Sequence, residues 1–224
     1  MLCIIQARIS SKRLPSKMLK KIINRTLLER VIIQIQKVKK IKKVIVATSN
    51  HKSDDPIANY CKKKGIEFYR GPLNNVTMRF YEVIKKFNFR SFLRVNGDSP
   101  LIDFKLIEYF IKIYEKNNYD ILTNACPKSF PKGQSIEIIN SNLFKKEFKN
   151  IKSRGDLEHV FTYFYKNKSL FKIKNISCKK NLNKLNFSID TYKDLLRVRN
   201  ILIKYNNVTP NFNKLTNSNM KLYY

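Results

Sequence analysis

The sequence predicts an α/β fold built on a mostly parallel sheet, and three observations carry that expectation. Short apolar or β-branched runs, Cys3 to Ile5, Lys43 to Thr48, Ile66 to Tyr69 and Ser91 to Val95, each give way to a polar loop or turn. Segments of helical periodicity lie between these runs, so strand-helix units repeat and right-handed parallel crossovers are the economical connection. The chain has 224 residues, 43% of them hydrophobic and 12% aromatic, enough for one well-cored domain.

The first strand opens into Gln6 to Leu19, a loop of short hydrogen-bonding side chains and cations stiffened by Pro15. Leu27, Leu28, Val31, Ile32, Ile35 and Val38 then recur at helical spacing. Lys43 to Thr48 reads as a strand buried on both faces, and Asp55-Pro56 starts a helix that Gly65 stops. Ile66 to Tyr69 is a strand, Arg70-Gly71-Pro72 a turn, Val76 to Phe87 a helix and Ser91 to Val95 a strand. A helix from Phe104 to Glu115 and a strand from Tyr119 to Thr123 continue the pattern, followed by a loop over Asn124 to Ser135. Ile136 to Ile139 alternates around Glu137, and helices are expected over Asn142 to Phe148 and Asp156 to Tyr165. Phe171 to Ile176 and Leu185 to Ile189 read as strands and Thr191 to Ile203 as a helix. The domain is expected to span 1–205, with 206–224 a polar tail.

The 46 basic against 16 acidic residues give a formal charge of +30, which makes a nucleic-acid-binding module one reading, with salt-sensitive, metal-independent binding to any duplex. The cations fall in pairs and triplets along the whole chain, with no arm or arginine stripe, so no specific nucleic-acid partner is expected. Cys3, Cys61, Cys126 and Cys178 stand apart without C-x-x-C spacing, which argues against a zinc site or a disulfide framework. No signal-peptide pattern and no apolar run of membrane-spanning length is present, and a cytoplasmic protein is expected.

Chemistry can sit at four places. The basic loop after the first strand lies where α/β sheets bind ligands, and its cations suit a polyphosphate. It has neither the Walker A nor the G-x-G-x-x-G glycine spacing, so side-chain cations and turn amides would hold the phosphates. Asp98, after a buried strand and Gly97, displays a carboxylate suited to Mg²⁺, or serves as a turn or N-cap residue. Asp190 repeats that placement before the last long helix, as a second metal carboxylate or as that helix's N-cap. Glu158-His159 is a weaker cluster, and no serine has a triad pattern.

The segments IIQARISSKRLPSKML, LLERVI, VIVATSN, DDPI, FYRGPLNNVTMRFYEV, RVNGDSPLID, FPKGQSIEI, LEHVFTY and FSIDTYKDL, in this order, resemble the cytidylyltransferase superfamily that makes CMP-activated sugar acids, most of all its spore-coat polysaccharide branch. The resemblance runs from Cys3 to Leu196. It implies a three-layer nucleotide-diphospho-sugar transferase (Rossmann-like) fold with a mixed, mostly parallel sheet, often dimeric. It also implies a CTP site drawn from Gln6, Ala7, Arg8, Ser11, Arg13, Lys17, Thr48, Arg70, Arg79 and Gly97, with Arg8, Arg13 and Lys17 on the triphosphate. Mg²⁺ would bind at Asp98 and Asp190, and Glu137, Glu158 and His159 would face an acidic acceptor, sialic-acid-like or Kdo-like. Lys17, Asp98 and His159 are the catalytic candidates. The chain departs from the family pattern at Ser16, where glycine is usual, at Asn24-Arg25, which replaces a glycine-containing turn, and at Asn75, where an acid is usual. A metal-dependent glycosyltransferase on the same fold is the rival enzyme reading.

Overall fold

The structure is a computed structural model, and it describes residues 1–217. Its strands are β1 (Leu2–Gln6), β2 (Lys21–Ile22), β3 (Arg25–Thr26), β4 (Lys43–Ser49), β5 (Phe68–Gly71), β6 (Ser91–Asn96), β7 (Ile121–Thr123), β8 (Glu137–Asn140) and β9 (Ile173–Asn175). Its helices are α1 (Leu27–Gln36), α2 (Asp55–Lys63), α3 (Val76–Phe87), α4 (Phe104–Lys116), α5 (Ser141–Glu147), α6 (Arg154–Glu158), α7 (Thr162–Lys166), α8 (Tyr192–Lys204) and α9 (Phe212–Thr216). Seven strands form one sheet in the order β5-β4-β1-β6-β8-β7-β9, parallel except for β8, which runs antiparallel to both of its neighbours. The expected three-layer, mixed and mostly parallel α/β fold is therefore the one observed.

Alternation along the central strands sorts the core into two halves. Cys3 and Ile5 face one half with α1, α2, α4, α8 and α9, and Leu2 and Ile4 face the other with α3, α5 and the residues of α6 and α7. β1 at the centre pairs with β4 and β6, so its carboxyl end opens between two other strand ends. Gly97 makes this junction close: a Cβ there would lie 2.9 Å from the Gln6 carbonyl oxygen.

Two sequence expectations are corrected, and one element was not expected at all. Leu185 to Ile189 is an extended segment and not a strand: it makes one isolated bridge, Asn186 with Lys132, because no strand runs beside it. It is pinned instead by Phe187 N–H to the Lys132 carbonyl (2.7 Å) and Ile189 N–H to the Asp98 carbonyl (2.9 Å). The helix expected over Asp156 to Tyr165 breaks into α6 and α7, because the Thr77 hydroxyl donates to the Asp156 carbonyl (2.8 Å), the group a continuous helix would offer to Val160. The small β2–β3 hairpin, whose pairing rests on two residues per strand, had no periodicity to announce it.

The segment set apart as a tail carries α9 within the described residues. Phe212 is fully buried, its ring centroid lies 5.4 Å from that of Phe130, and its N–H donates to the Asp103 carboxylate (2.7 Å). The remainder, 218–224, lies outside the described residues. No described helix is long and apolar enough to cross a membrane. Phe212→Ala should lower stability by about 3–5 kcal/mol, the usual cost of emptying a buried phenylalanine site, read from the urea midpoint.

Candidate active site

A cavity of about 720 Å³ opens beyond the carboxyl ends of β1 and β6, lined by Gln6, Arg8 to Arg13, Pro15, Lys17, Met18, Asn96, Gly97, Asp98 and Asp190. Of the residues singled out from the sequence, Gln6, Arg8, Ser11, Arg13, Lys17, Gly97, Asp98 and Asp190 meet there. The loop turns at Ser16, whose φ of 55° and ψ of 24° are left-handed, the conformation glycine adopts without Cβ strain. A short 3₁₀ turn follows and drives Lys17 inward, leaving it 7% exposed.

Lys17 organises the site. Its Nζ donates to Asp98 Oδ2 (3.0 Å), Asp190 Oδ1 (3.0 Å) and the Ile189 carbonyl (2.7 Å), so all three ammonium donors are used. Asp190 also pairs with Lys132 and, at 3.5 Å, with Arg13. Burial by itself would raise the Asp190 carboxyl, but hydrogen bonds from Lys132 and Lys17, with their charges, hold it down at about 2. The N-cap alternatives for the two aspartates are resolved. Thr191 caps α8 in a capping box with Asp194, and Asp103 caps α4, so Asp98 and Asp190 cap neither helix and their carboxylates meet Lys17 in the cavity.

The other candidates flank this centre. Ala7 is buried in the wall. At the rim, Arg8 meets Glu158 at 3.5 Å with both side chains about two-fifths exposed, a pair worth about 1 kcal/mol or less and readily exchanged for a ligand anion. Arg70 buttresses the β4 loop through Asp55 (2.6 Å) and the Ser49 carbonyl (2.9 Å) and does not line the cavity. Glu137 is buried with both oxygens engaged, one by Arg94 and one by the Tyr165 hydroxyl (2.7 Å). His159 is an exposed residue ending α6, outside the cavity lining. Asn75 takes the helix-cap role open to an acid, accepting from Met78 N–H (2.7 Å).

Arg79 on α3 and Thr48 on β4 are fully buried and outside the cavity lining. Among the described residues none of the three Arg79 guanidinium nitrogens has a hydrogen-bond partner, nor does Thr48 Oγ1. Burial pushes the Arg79 guanidinium down to about 10, opposed by the Asp54 carboxylate and reinforced by Arg8. Asp54, also fully buried, ties the loop to β4 by accepting from Ile9 N–H (2.6 Å), Ser49 N–H (3.1 Å) and the Ser49 hydroxyl. An unpartnered buried guanidinium is costly to the unliganded protein.

The donor set suits Mg²⁺: one carboxylate just past β6 and one just before α8, already gathered about one cation, beside room for phosphate oxygens and water. No cluster of three or more His, Cys, Asp or Glu exists among the described residues, so phosphate would have to complete the coordination. Sequence reasoning missed Lys132, Arg94, Asn96 and Asp54. Lys132 is indistinguishable from the other lysines of this chain. Arg94 was legible as a lone cation in an apolar strand, matched by Glu137 in another.

The profile of the cytidylyltransferase family matches residues 2–222. An uncharacterized protein of Methanocaldococcus jannaschii is 35% identical over 193 residues, 85% of this chain and 78% of its own length. The spore coat polysaccharide biosynthesis protein SpsF of Bacillus subtilis is 28% identical over 203 residues, 86% of this chain and 82% of its own. The structure of a cytidylyltransferase from Leptospira borgpetersenii superposes with a TM-score of 0.81 at 24% identity, covering 99% of this chain and 98% of that one, and so has the same fold.

Two outcomes are expected. Arg79→Met should leave the unliganded protein as stable or more stable, since it removes an unpaired buried charge, yet weaken triphosphate binding at least about tenfold in calorimetric titration. The Asp190 carboxyl titrates lower when folded than when unfolded, so its ion pairs stabilise fully above the ordinary carboxylate range and lose that contribution as pH falls towards about 2. The stability gap between wild type and Asp190→Asn, measured by urea unfolding, should accordingly be largest near neutrality and shrink below about pH 4.

Proposed function

This chain belongs to the cytidylyltransferase family, and we propose that within it the protein activates an acidic sugar, sialic-acid-like or Kdo-like, with CTP to give a CMP-sugar and pyrophosphate for surface polysaccharide biosynthesis. The observation that carries this reading is the Lys17 ammonium held between Asp98 and Asp190 in a cavity rimmed by Arg8, Lys12 and Arg13. Such a site is built for a charged phosphate chain whose charge is redistributed during reaction. The likeness to SpsF supports the polysaccharide role and the spore-coat branch.

In the reaction, a sugar hydroxyl attacks the α-phosphorus of CTP in line, the new phosphate ester forms, and the bond to the β-phosphate oxygen breaks to release pyrophosphate. The chain's own part is alignment and charge stabilisation. Arg8, Arg13 and Lys17 bind the triphosphate, and the Lys17 ammonium, which lines the cavity between Asp98 and Asp190, takes the developing charge of the leaving oxygens. Arg79 and Thr48 offer the inner polar groups of the nucleotide side. Asp98 and Asp190 would hold Mg²⁺, which when bound supplies compensation of phosphate charge. Glu158, paired with Arg8 at the rim, is the acceptor-side candidate, and His159 follows it at the end of α6. The reading also includes a homodimer in the cytoplasm, where CTP is supplied; sedimentation tests the dimer.

Pyrophosphate release should be screened with the four nucleoside triphosphates against a panel of sialic-acid-like and Kdo-like sugars, with Mg²⁺ or with EDTA. CTP-selective, Mg²⁺-dependent release is expected. Free nucleotide and a glycoside from a nucleotide-sugar donor would instead establish the glycosyltransferase reaction. Asp98→Ala should lower turnover by about 10²-fold or more. An unchanged rate in that variant would remove Asp98 from the mechanism.

A further inference from the structure

Beneath the cavity, on the sheet face that carries α3 and α5, a polar row crosses four adjacent strands: Gln6 on β1, Arg94 and Asn96 on β6, Glu137 on β8 and Thr123 on β7. Arg94 is its centre. One of its terminal nitrogens, Nη1, binds Glu137, whose other oxygen accepts from the Tyr165 hydroxyl. The remaining donors are spent on two carboxamides. Nε and Nη2 reach Gln6 Oε1 (3.3 and 3.1 Å), and Nη2 also reaches Asn96 Oδ1 (3.0 Å).

A guanidinium has donors and no acceptor, so the amide atom turned towards it has to be oxygen in both residues. Each NH₂ group is therefore turned away from Arg94, and neither donates to another protein group among the described residues. Gln6 and Asn96 are register partners on neighbouring parallel strands, and both line the cavity. Glu137 offsets the Arg94 charge. What a ligand meets there is a pair of adjacent neutral donors with fixed polarity.

We infer that the Arg94–Glu137 ion pair locks Gln6 and Asn96 into a donor-only floor that takes the carboxylate of the acceptor sugar. A carboxylate supplies two acceptor oxygens to two neighbouring donors, and hydrogen bonds to an ionised acceptor are the strong class. Phosphate oxygens are served by the cations on the Lys17 side, which leaves the neutral floor for the weaker anion. Arg94 and Glu137 are positioning residues, acting through the two amides. The inference deepens the proposed function by naming the acceptor's recognised group, and it rests on that reading for the identity of the ligand.

The test is calorimetric titration of Kdo and N-acetylneuraminic acid, each against its methyl ester, into protein saturated with CDP and Mg²⁺, which cannot react. Wild type should bind an acid about 10–100-fold tighter than its ester, the value of one or two charge-assisted hydrogen bonds. Gln6→Glu and Asn96→Asp preserve an oxygen for Arg94 and present a second oxygen to the cavity. Each should bring the acid-to-ester ratio to about one or below, measured at a CDP concentration that saturates that variant. Arg94→Met should also lose the preference, and because that variant can fail to fold, the two acidic variants carry the conclusion. A ratio of one in wild type, no binding of either probe, or a ratio untouched in both acidic variants overturns the inference. Acid-selective binding by a wild type that releases no pyrophosphate with CTP supports the donor floor and defeats nucleotidyl transfer, so the two failures are distinguishable.

Discussion

A single buried ammonium holds this site together. Lys17 reaches Asp98 at the end of β6 and Asp190 before α8, groups 81 and 173 residues away in the chain, and also fills the Ile189 carbonyl. Without that cation two carboxylates would face each other in a partly dehydrated crevice, where like charges cannot both stay ionised cheaply. Without the carboxylates a nearly inaccessible lysine would have no counter-charge. The left-handed turn at Ser16 follows from this constraint, because the loop has to reverse sharply to send Lys17 inward.

Around that centre the protein keeps charge in two different conditions. On the Lys17 side and along the polar row, buried charges are matched: Asp190 by Lys17 and Lys132, Glu137 by Arg94, and Asp54 by the loop and β4 amides. Away from the cavity lining, fully buried Arg79 keeps a guanidinium with no hydrogen-bond partner among the described residues. Satisfied networks fix the shape of a site, whereas an unsatisfied donor stores free energy that only a ligand can release. The combination of a rigid frame with one costly open donor set is what a binding site for an acceptor-rich nucleotide needs.

Much of this was legible in the linear chain. The apolar runs ending in polar loops gave the strand ends, and Asp98 stood out because Gly97 and Pro100 bracket it at one of them. Thr191-Tyr192-Lys193-Asp194 contained the capping box, although which aspartate used it could not be read: Asp190 and Asp194 both precede or enter the same helix, and geometry awarded the cap to Thr191 and Asp194. Leu185 to Ile189 has a strand's composition, but composition cannot say whether a neighbour exists to complete the ladder. The helix over Asp156 to Tyr165 failed for a similar reason, since its competitor was the hydroxyl of Thr77, 79 residues earlier.

The sequence by itself determined the α/β class, the alternation of strands and helices through its first half, the basic loop and the placement of Asp98 past a strand, because periodicity, turn residues and local charge are properties of neighbouring residues. Only the tertiary structure decided which cations are engaged and which are free. In a chain with 46 lysines and arginines, local sequence does not separate Lys17, with three partners, from a solvated lysine, or Arg94, which turns two amides, from Arg79, which has no hydrogen-bond partner. Those differences arise from groups brought together across the sheet, where burial sets the cost of each charge and the available partner sets whether that cost is met.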